Sequence, residues 1–281
     1  VSQLCRLAAI ALVAGLMMMG NTPQAAAGDP PDLDALVVFR HASDVDPAPL
    51  ADFGSAPARM LNRLDDIQQV AVVELSAGWQ WQPPRVRRQS LELFVLSGTL
   101  QWGDVMLSAH DYAYLPSTAT APLLAAGSEV EVLVYFDPPR ETDGSQARVR
   151  HADDGGWRPG MVAERDAGVR LALEVRDLLW VESTGQRTWL LRARPDLVVP
   201  WERHETVEEG FLVAGDYHLA ECLPEGPVEG SYRPGGYFYR PAGIVHGGPA
   251  SGSSDEVMWL LRTPTALTVE FFESCEAGSR F

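Results

Sequence analysis

Residues 201–215, WERHETVEEGFLVAG, place a carboxylate and an imidazole one residue apart, at Glu202 and His204, just before an apolar run that ends in glycine. Both side-chain types donate lone pairs to divalent cations. Residues two apart in an extended strand share a face, so the pair is aimed at one space. Cation binding is the chemistry that this spacing offers. The same residues also fit a solvated strand end, with Glu202 in water and His204 satisfied beside Arg203 and Glu205. Other chemistries lack their motifs: there is no Ser nucleophile elbow, Gly-rich phosphate loop or Cys-x-x-Cys pair. Hydrolase, nucleotide and zinc-ribbon readings therefore have no support.

The elements around this pair read as strands. Long amphipathic helical patterns are scarce, whereas runs such as Val70–Leu75, Leu93–Leu96, Val130–Phe136, Thr188–Leu191 and Val257–Leu261 recur between Gly, Pro and Asp clusters. An all-β fold is expected. The N-terminus differs: Arg6 precedes an apolar stretch from Leu7 to Met19 and then Ala25-Ala26-Ala27. That pattern predicts a secretory signal peptide over 1–27, and a periplasmic or secreted protein without stable membrane insertion after cleavage. In such an oxidising compartment Cys222 and Cys275 could be bridged or remain two buried thiols, an alternative the sequence leaves open. All 22 basic residues are arginine, and 38 acids give a net charge of −16. So acidic a surface repels phosphate backbones and argues against nucleic-acid partners.

The two halves carry the same text. "LELFVLSGTLQW" leads to "HDYAYLPSTATAP" in the first, and "EEGFLVAGDYHL" leads to "GGYFYRPAGIVHGG" in the second. Phe94 then matches Phe211, Gly98 matches Gly215, and Tyr112, Tyr114 and Pro116 match Tyr237, Tyr239 and Pro241. Two copies of one β module follow, with boundaries at 28–150 for an N-terminal module plus linker and 151–281 for a C-terminal one. Residues 137–160, rich in Pro, Gly and Asp, have linker composition. Extra residues around Leu223–Pro234 predict a longer hairpin loop in the second copy.

On these residues the second half resembles the cupin superfamily, whose first motif has two histidines one residue apart, a glutamate four later and a glycine seven beyond that. His204, Glu208 and Gly215 fit those offsets, with Glu202 standing at the first histidine position. The second motif, Gly-x5-Pro-x-Gly-x2-His, is met by Gly235, Pro241, Gly243 and His246, although Ala250 replaces the usual following asparagine. The resemblance implies two double-stranded β-helix (jelly-roll) barrels in tandem, a bicupin most like the ChrR-like, RmlC-like members of uncharacterised function. It implies one divalent metal held by Glu202, His204, Glu208 and His246. An oxygen-rich, thiolate-free set favours manganese or iron, with zinc admissible. The first half places Arg85, Arg87, Leu91 and Ala121 at the four positions, so that module is expected to be metal-free, either packing, gating or binding an anion through Arg85, Arg87 and Arg88 or, the plainer alternative, with its arginine strand end solvated.

For function, the resemblance implies a metal-dependent oxygenase- or lyase-type enzyme acting on a small organic molecule. Glu202 would be a fourth ligand or a catalytic general base. Trp201, Tyr237, Tyr239 and Arg240 are candidate substrate contacts, Arg240 toward a carboxylate, although the tyrosines are equally placed to fill core. Glu209, of opposite strand parity to Glu208, is read as outward-facing. The rival reading is a non-catalytic small-molecule-binding or sensory protein with a structural or regulatory metal. Homodimers are frequent in the superfamily, so the resemblance carries that expectation too, with no interface residue attached.

Overall fold

In the computed structural model, residues 37–139, 146–160, 173–195 and 197–278 are described; the signal-peptide reading of 1–27 lies outside them. The described residues are built mainly from strands, with two 3-10 turns at Ala42–Asp44 and Ala51–Phe53 and one short α-helix at Cys275–Gly278 among them. Among the described residues no helix is long and apolar enough to cross a membrane.

Each half folds as a large and a small antiparallel sheet. The first half has seven strands in the order Arg148–Arg150, Tyr112–Leu115, Ser90–Ser97, Val130–Asp137, Gln69–Leu75, Ala56–Arg63 and Ala48–Leu50, facing a four-stranded sheet. Its interior is filled by apolar side chains from both sheets, including Leu91, Leu93, Trp102, Leu115 and Val132. The second half has seven strands in the order Val38–His41, Gly236–Arg240, Glu208–Ala214, Val257–Thr263, Gln186–Ala193, Leu173–Val181 and Arg158–Pro159. Its small sheet has five, among them Tyr217–Leu223, Val245–Gly252 and Trp201–Arg203. Tandem jelly-roll barrels are the result.

The repeat is visible in backbone detail. Gly98 and Gly215 adopt φ of 80° and 81°, and at both a Cβ would stand 2.4 Å from a carbonyl oxygen, that of Glu129 or Glu256. Both needs, a left-handed turn and a bare α-carbon, select glycine. The extra residues of the second copy, however, lengthen strands and not a loop. Tyr217–Leu223 and Gly226–Tyr232 form a seven-residue ladder around a tight turn, where Thr99–Trp102 and Val105–Ser108 have four.

The segment read as a linker also contributes structure. Arg148–Arg150 pairs with Tyr112–Leu115, and Arg158–Pro159 with Leu173–Val181. Val38–His41, which precedes the first barrel, pairs instead with Gly236–Arg240 of the second. The strand before each barrel thus extends the Tyr-x-Tyr strand of the other barrel.

The two large sheets meet back to back. Alternation sends one face of each strand into its own barrel and the other into the seam, where Phe94, Tyr112 and Leu133 meet Leu190, Phe211, Tyr237 and Leu260. Glu209 does point away from its barrel, as its parity requires, but into this seam and not to water: it is 5 % exposed. There Arg262 binds Glu92, Asp137 and Glu209. The Tyr112 hydroxyl donates to Glu92 over 2.7 Å and the Tyr237 hydroxyl to Glu209 over 2.9 Å, so the repeat reproduces a buried polar pair as well.

Candidate metal centre and cavity

The second barrel gathers polar side chains at one end because register aligns them in two rows. Across the small sheet, Glu202 stands opposite His246, and His246 opposite Glu221 on its other side. Across the large sheet, Glu208 stands opposite Arg240. His204 follows the strand Trp201–Arg203, and its carbonyl accepts a 2.9 Å hydrogen bond from the backbone N–H of Gly243. That bond ties the Pro-x-Gly turn to the segment bearing His204.

The side chains converge. The rings of His204 and His246 lie 4.9 Å apart between centroids. One donor atom each from Glu202, His204 and His246 all fall within 4.8 Å of one another. Glu202 Oε1 stands 3.9 Å from His204 Nε2 and 3.4 Å from His246 Nε2. Glu208 Oε2 is 3.7 Å and 4.0 Å from the same two nitrogens, while also bonded to the Arg240 guanidinium. All four residues read as ligands are therefore together.

The donor chemistry fits a divalent ion. His204 Nδ1 lies 2.9 Å from Thr268 O and His246 Nδ1 3.2 Å from Ile244 O. A carbonyl oxygen only accepts, so each Nδ1 carries the proton and each Nε2 offers its lone pair to the shared centre. Burial, reinforced by the charge of Arg240, pushes the His246 imidazole down to about 3, keeping it neutral. Burial raises the Glu202 carboxyl, against the pull of His204 and Arg240. Three carboxylates, Glu202, Glu208 and Glu221, surround one guanidinium, Arg240. A divalent cation compensates such an excess of buried acceptors.

Beside this cluster lies a cavity of about 200 Å³. Its walls are apolar, with Val175, Trp189, Leu219, Phe238, Trp259 and Leu261 among them, and Glu202, His204, Glu208 and His246 border it. Tyr217 borders it too, its phenol raised by burial and by the charge of Glu202.

The candidate substrate contacts divide. Arg240 borders the cavity, but its guanidinium is held by Glu208 and Glu221, so it positions carboxylates and is not free for a substrate. Trp201 lies on the other face of its strand from Glu202, against the Cys222–Cys275 group and Gly248. Tyr237 is wholly buried in the seam, and Tyr239 is half-buried on the same face. These three do not border the cavity, because period-two alternation gives Arg240 and Phe238 to the barrel and both tyrosines to the seam. Cys222 and Cys275 form a disulfide with Cα atoms 5.7 Å apart.

Glu221 was missed in the sequence, yet a signal was present: Tyr217, Leu219 and Glu221 share strand parity, so a carboxylate sits on an apolar face. Arg187 carries the same signal, preceding Trp189, Leu191 and Ala193 on one face.

No family model and no curated protein matches this chain. Solved structures do. A candidate dioxygenase from Nostoc punctiforme superposes with a TM-score of 0.63 at 16 % identity, over 87 % of this chain and 88 % of that one. Bacillus subtilis oxalate decarboxylase, studied for its Mn(II) centres, superposes with a TM-score of 0.54 at 12 % identity, over 84 % and 79 %. At such identities the likeness establishes the fold alone, two jelly-roll barrels in tandem, and leaves the reaction to the site.

Proposed function

We propose that this protein is a metal-dependent enzyme of the oxygenase or lyase kind, binding one divalent ion in the C-terminal barrel and acting on a small organic molecule in the adjoining cavity. The observation that carries the reading is the convergence of Glu202, His204 and His246 beside an apolar cavity, with Glu208 at its edge. Two imidazoles and two carboxylates without a thiolate favour manganese or iron, with zinc admissible. When bound, the ion supplies Lewis-acid polarisation of a substrate oxygen or a redox centre for reaction with dioxygen. The chain's own groups do the rest. Apolar walls exclude water, Arg240 holds Glu208 in place, and Glu202 either completes the ligand set or takes a proton from the substrate.

The protein is read as exported, periplasmic or secreted; the Cys222–Cys275 bridge, at home in an oxidising compartment, supports that reading beside the N-terminal pattern.

Metal analysis of the purified protein, followed by oxygen-uptake and product screening on phenols, keto acids and aromatic acids, tests the proposal. Stoichiometric manganese or iron with turnover is expected. Stoichiometric metal that raises the melting temperature with no turnover favours the sensory alternative. Glu202→Gln separates the roles of that residue: loss of metal marks a ligand, and retained metal with a collapsed rate marks a base. A variant keeping both metal and rate removes Glu202 from the mechanism.

A further inference from the structure

The cavity has a second polar pole. Arg187 borders it from the strand Gln186–Ala193, and Arg158 from the short strand Arg158–Pro159. Both guanidinia bind one carboxylate, that of Asp177: Arg187 Nε donates to Oδ1 and Arg158 Nη2 to Oδ2, each over 2.5 Å. Two cations on one anion leave an uncompensated positive charge. Arg187 Nη2 is moreover buried with no hydrogen-bond partner among the described residues. The guanidinium lies 4.6 Å over the centroid of the Trp189 ring, which fixes it at the cavity wall. Nη2 is itself closed off, so what the cavity meets is the guanidinium's charge, answered by Asp177 alone and shared there with Arg158; a charge so weakly compensated at an apolar wall is stabilised by an anion bound beside it.

Arg240 behaves in the opposite way, since Glu208 and Glu221 consume its charge. The metal end is thus rich in acceptors and the Arg187 end rich in donors, and Trp189, Phe238, Trp259 and Leu261 are among the apolar walls of the same cavity. Glu209 stands opposite Arg262 and Arg187 opposite Thr263, so the antiparallel register puts Glu208 and Arg187 at one level, two strands apart in one sheet. Two inter-strand spacings amount to about 10 Å between backbones. Side chains on one face of a sheet stand roughly side by side, so one ring with substituents at opposite ends has about the length that bridges the two positions. A cavity of about 200 Å³ has the same scale, below the ~300–1,000 Å³ usual for drug-sized ligands.

We propose that the substrate is a monocyclic aromatic or comparably apolar carboxylate. Its carboxylate is anchored by Arg187, with Arg158 behind it, and its other end is presented to the Glu202, His204 and His246 cluster. In the metal-free protein a small dianion such as oxalate is disfavoured, because apolar walls would desolvate both charges while only the Arg187 pole accepts an anion. This proposal rests on the reading of that cluster as the reactive end, but the anchor itself is independent of any metal.

Quenching of tryptophan fluorescence, with Trp189 and Trp259 in the cavity wall, supplies the assay. The probes are benzoate, its neutral isostere benzamide, and oxalate, titrated into EDTA-treated and manganese-loaded protein. In the EDTA-treated protein benzoate should bind about tenfold or more tightly than benzamide or oxalate, the usual effect of a charge-assisted hydrogen bond. Arg187→Met should abolish that preference in both preparations without changing metal content. Arg158→Gln, at a largely exposed side chain, should weaken benzoate binding a few-fold in a folded protein. An intact preference in Arg187→Met overturns the proposal; if that variant does not fold, unchanged benzoate affinity in Arg158→Gln does so. Tighter binding of oxalate than benzoate to the EDTA-treated protein also overturns it. Absence of metal from the wild-type protein would instead sink the enzymatic reading, leaving the Arg187 effect measurable.

Discussion

The two barrels share strand order, turn glycines and a Tyr-x-Tyr strand, yet the interior of one is filled by apolar side chains, with a pocket at its Arg87 end, and the other is hollow beside a polar cluster. In the first, Leu91 and Ala121 stand where the second has Glu208 and His246; Leu91 joins an apolar core and Ala121 packs against it. Of the arginine end expected to be solvated, Arg85 and Arg88 are exposed, whereas Arg87 is partly buried and donates to the carbonyls of Pro84, Pro116 and Ala119. In the second barrel the equivalent end holds two imidazoles and three carboxylates around one guanidinium, and a cavity opens behind them. One strand order therefore serves as a packed core or as a site according to four inward positions, and the two barrels share a seam.

The largest expected effect strikes the hollow barrel alone. His246→Ala removes the donor closest to Glu202 and should lower affinity for manganese by more than about 100-fold, exceeding the 10–100-fold typical of an outer-shell change. Equilibrium dialysis measures it, and Ala121→His in the filled barrel should gain no metal because its partners remain Leu91 and Arg87. Next in size is the seam. Arg262→Met strands Glu92, Asp137 and Glu209 without their cation and should cost about 3–5 kcal/mol in urea unfolding, with both barrels affected together. Arg87→Ala, confined to the filled barrel, should cost about 1–3 kcal/mol through unsatisfied carbonyls and leave manganese binding unchanged.

The difference between the barrels was largely legible in the sequence because it is written in residue types at repeated offsets. Glu202, His204, Glu208 and His246 against Arg85, Arg87, Leu91 and Ala121 needed no contact to be seen. What lay beyond reach was pairing between distant strands. Arg240 reads as a free cation until Glu221, nineteen residues earlier and in the other sheet, is placed beside it. Tyr237 and Tyr239 read as site residues until the barrels are seen to meet on that face of their strand. The strand Val38–His41 crosses to the far barrel through backbone hydrogen bonds, to which side-chain patterns are blind. Alternation alone would have exposed Glu221 and Arg187, since each is a charge on an apolar face.

The smallest effect asks whether the repeat is equal in the seam, where Glu92 and Glu209 are equivalent by sequence and both bind Arg262. Their environments differ. Burial raises both carboxyls, but for Glu92 the charge of Arg262 and hydrogen bonds from Thr188 and Tyr112 outweigh it, holding the group below its ordinary 4.5. For Glu209 burial wins over Arg262, with repulsion from Asp137 adding to it, and the group lies above 4.5. Glu92 thus contributes stability that is present above its unfolded value and lost as pH falls through the lower folded value. Glu209 contributes stability present below 4.5 and lost as pH rises through its higher folded value. Glu92→Gln should therefore destabilise by about 1–3 kcal/mol at pH 7, an effect that shrinks on acidification. Glu209→Gln should cost less at pH 7 than Glu92→Gln and become relatively more favourable, against wild type, as pH is raised from 4 to 7. Urea unfolding of both variants across that range checks the pair; equal costs at pH 7 would mean that Arg262 is shared evenly and that the two copies have remained symmetric in the seam.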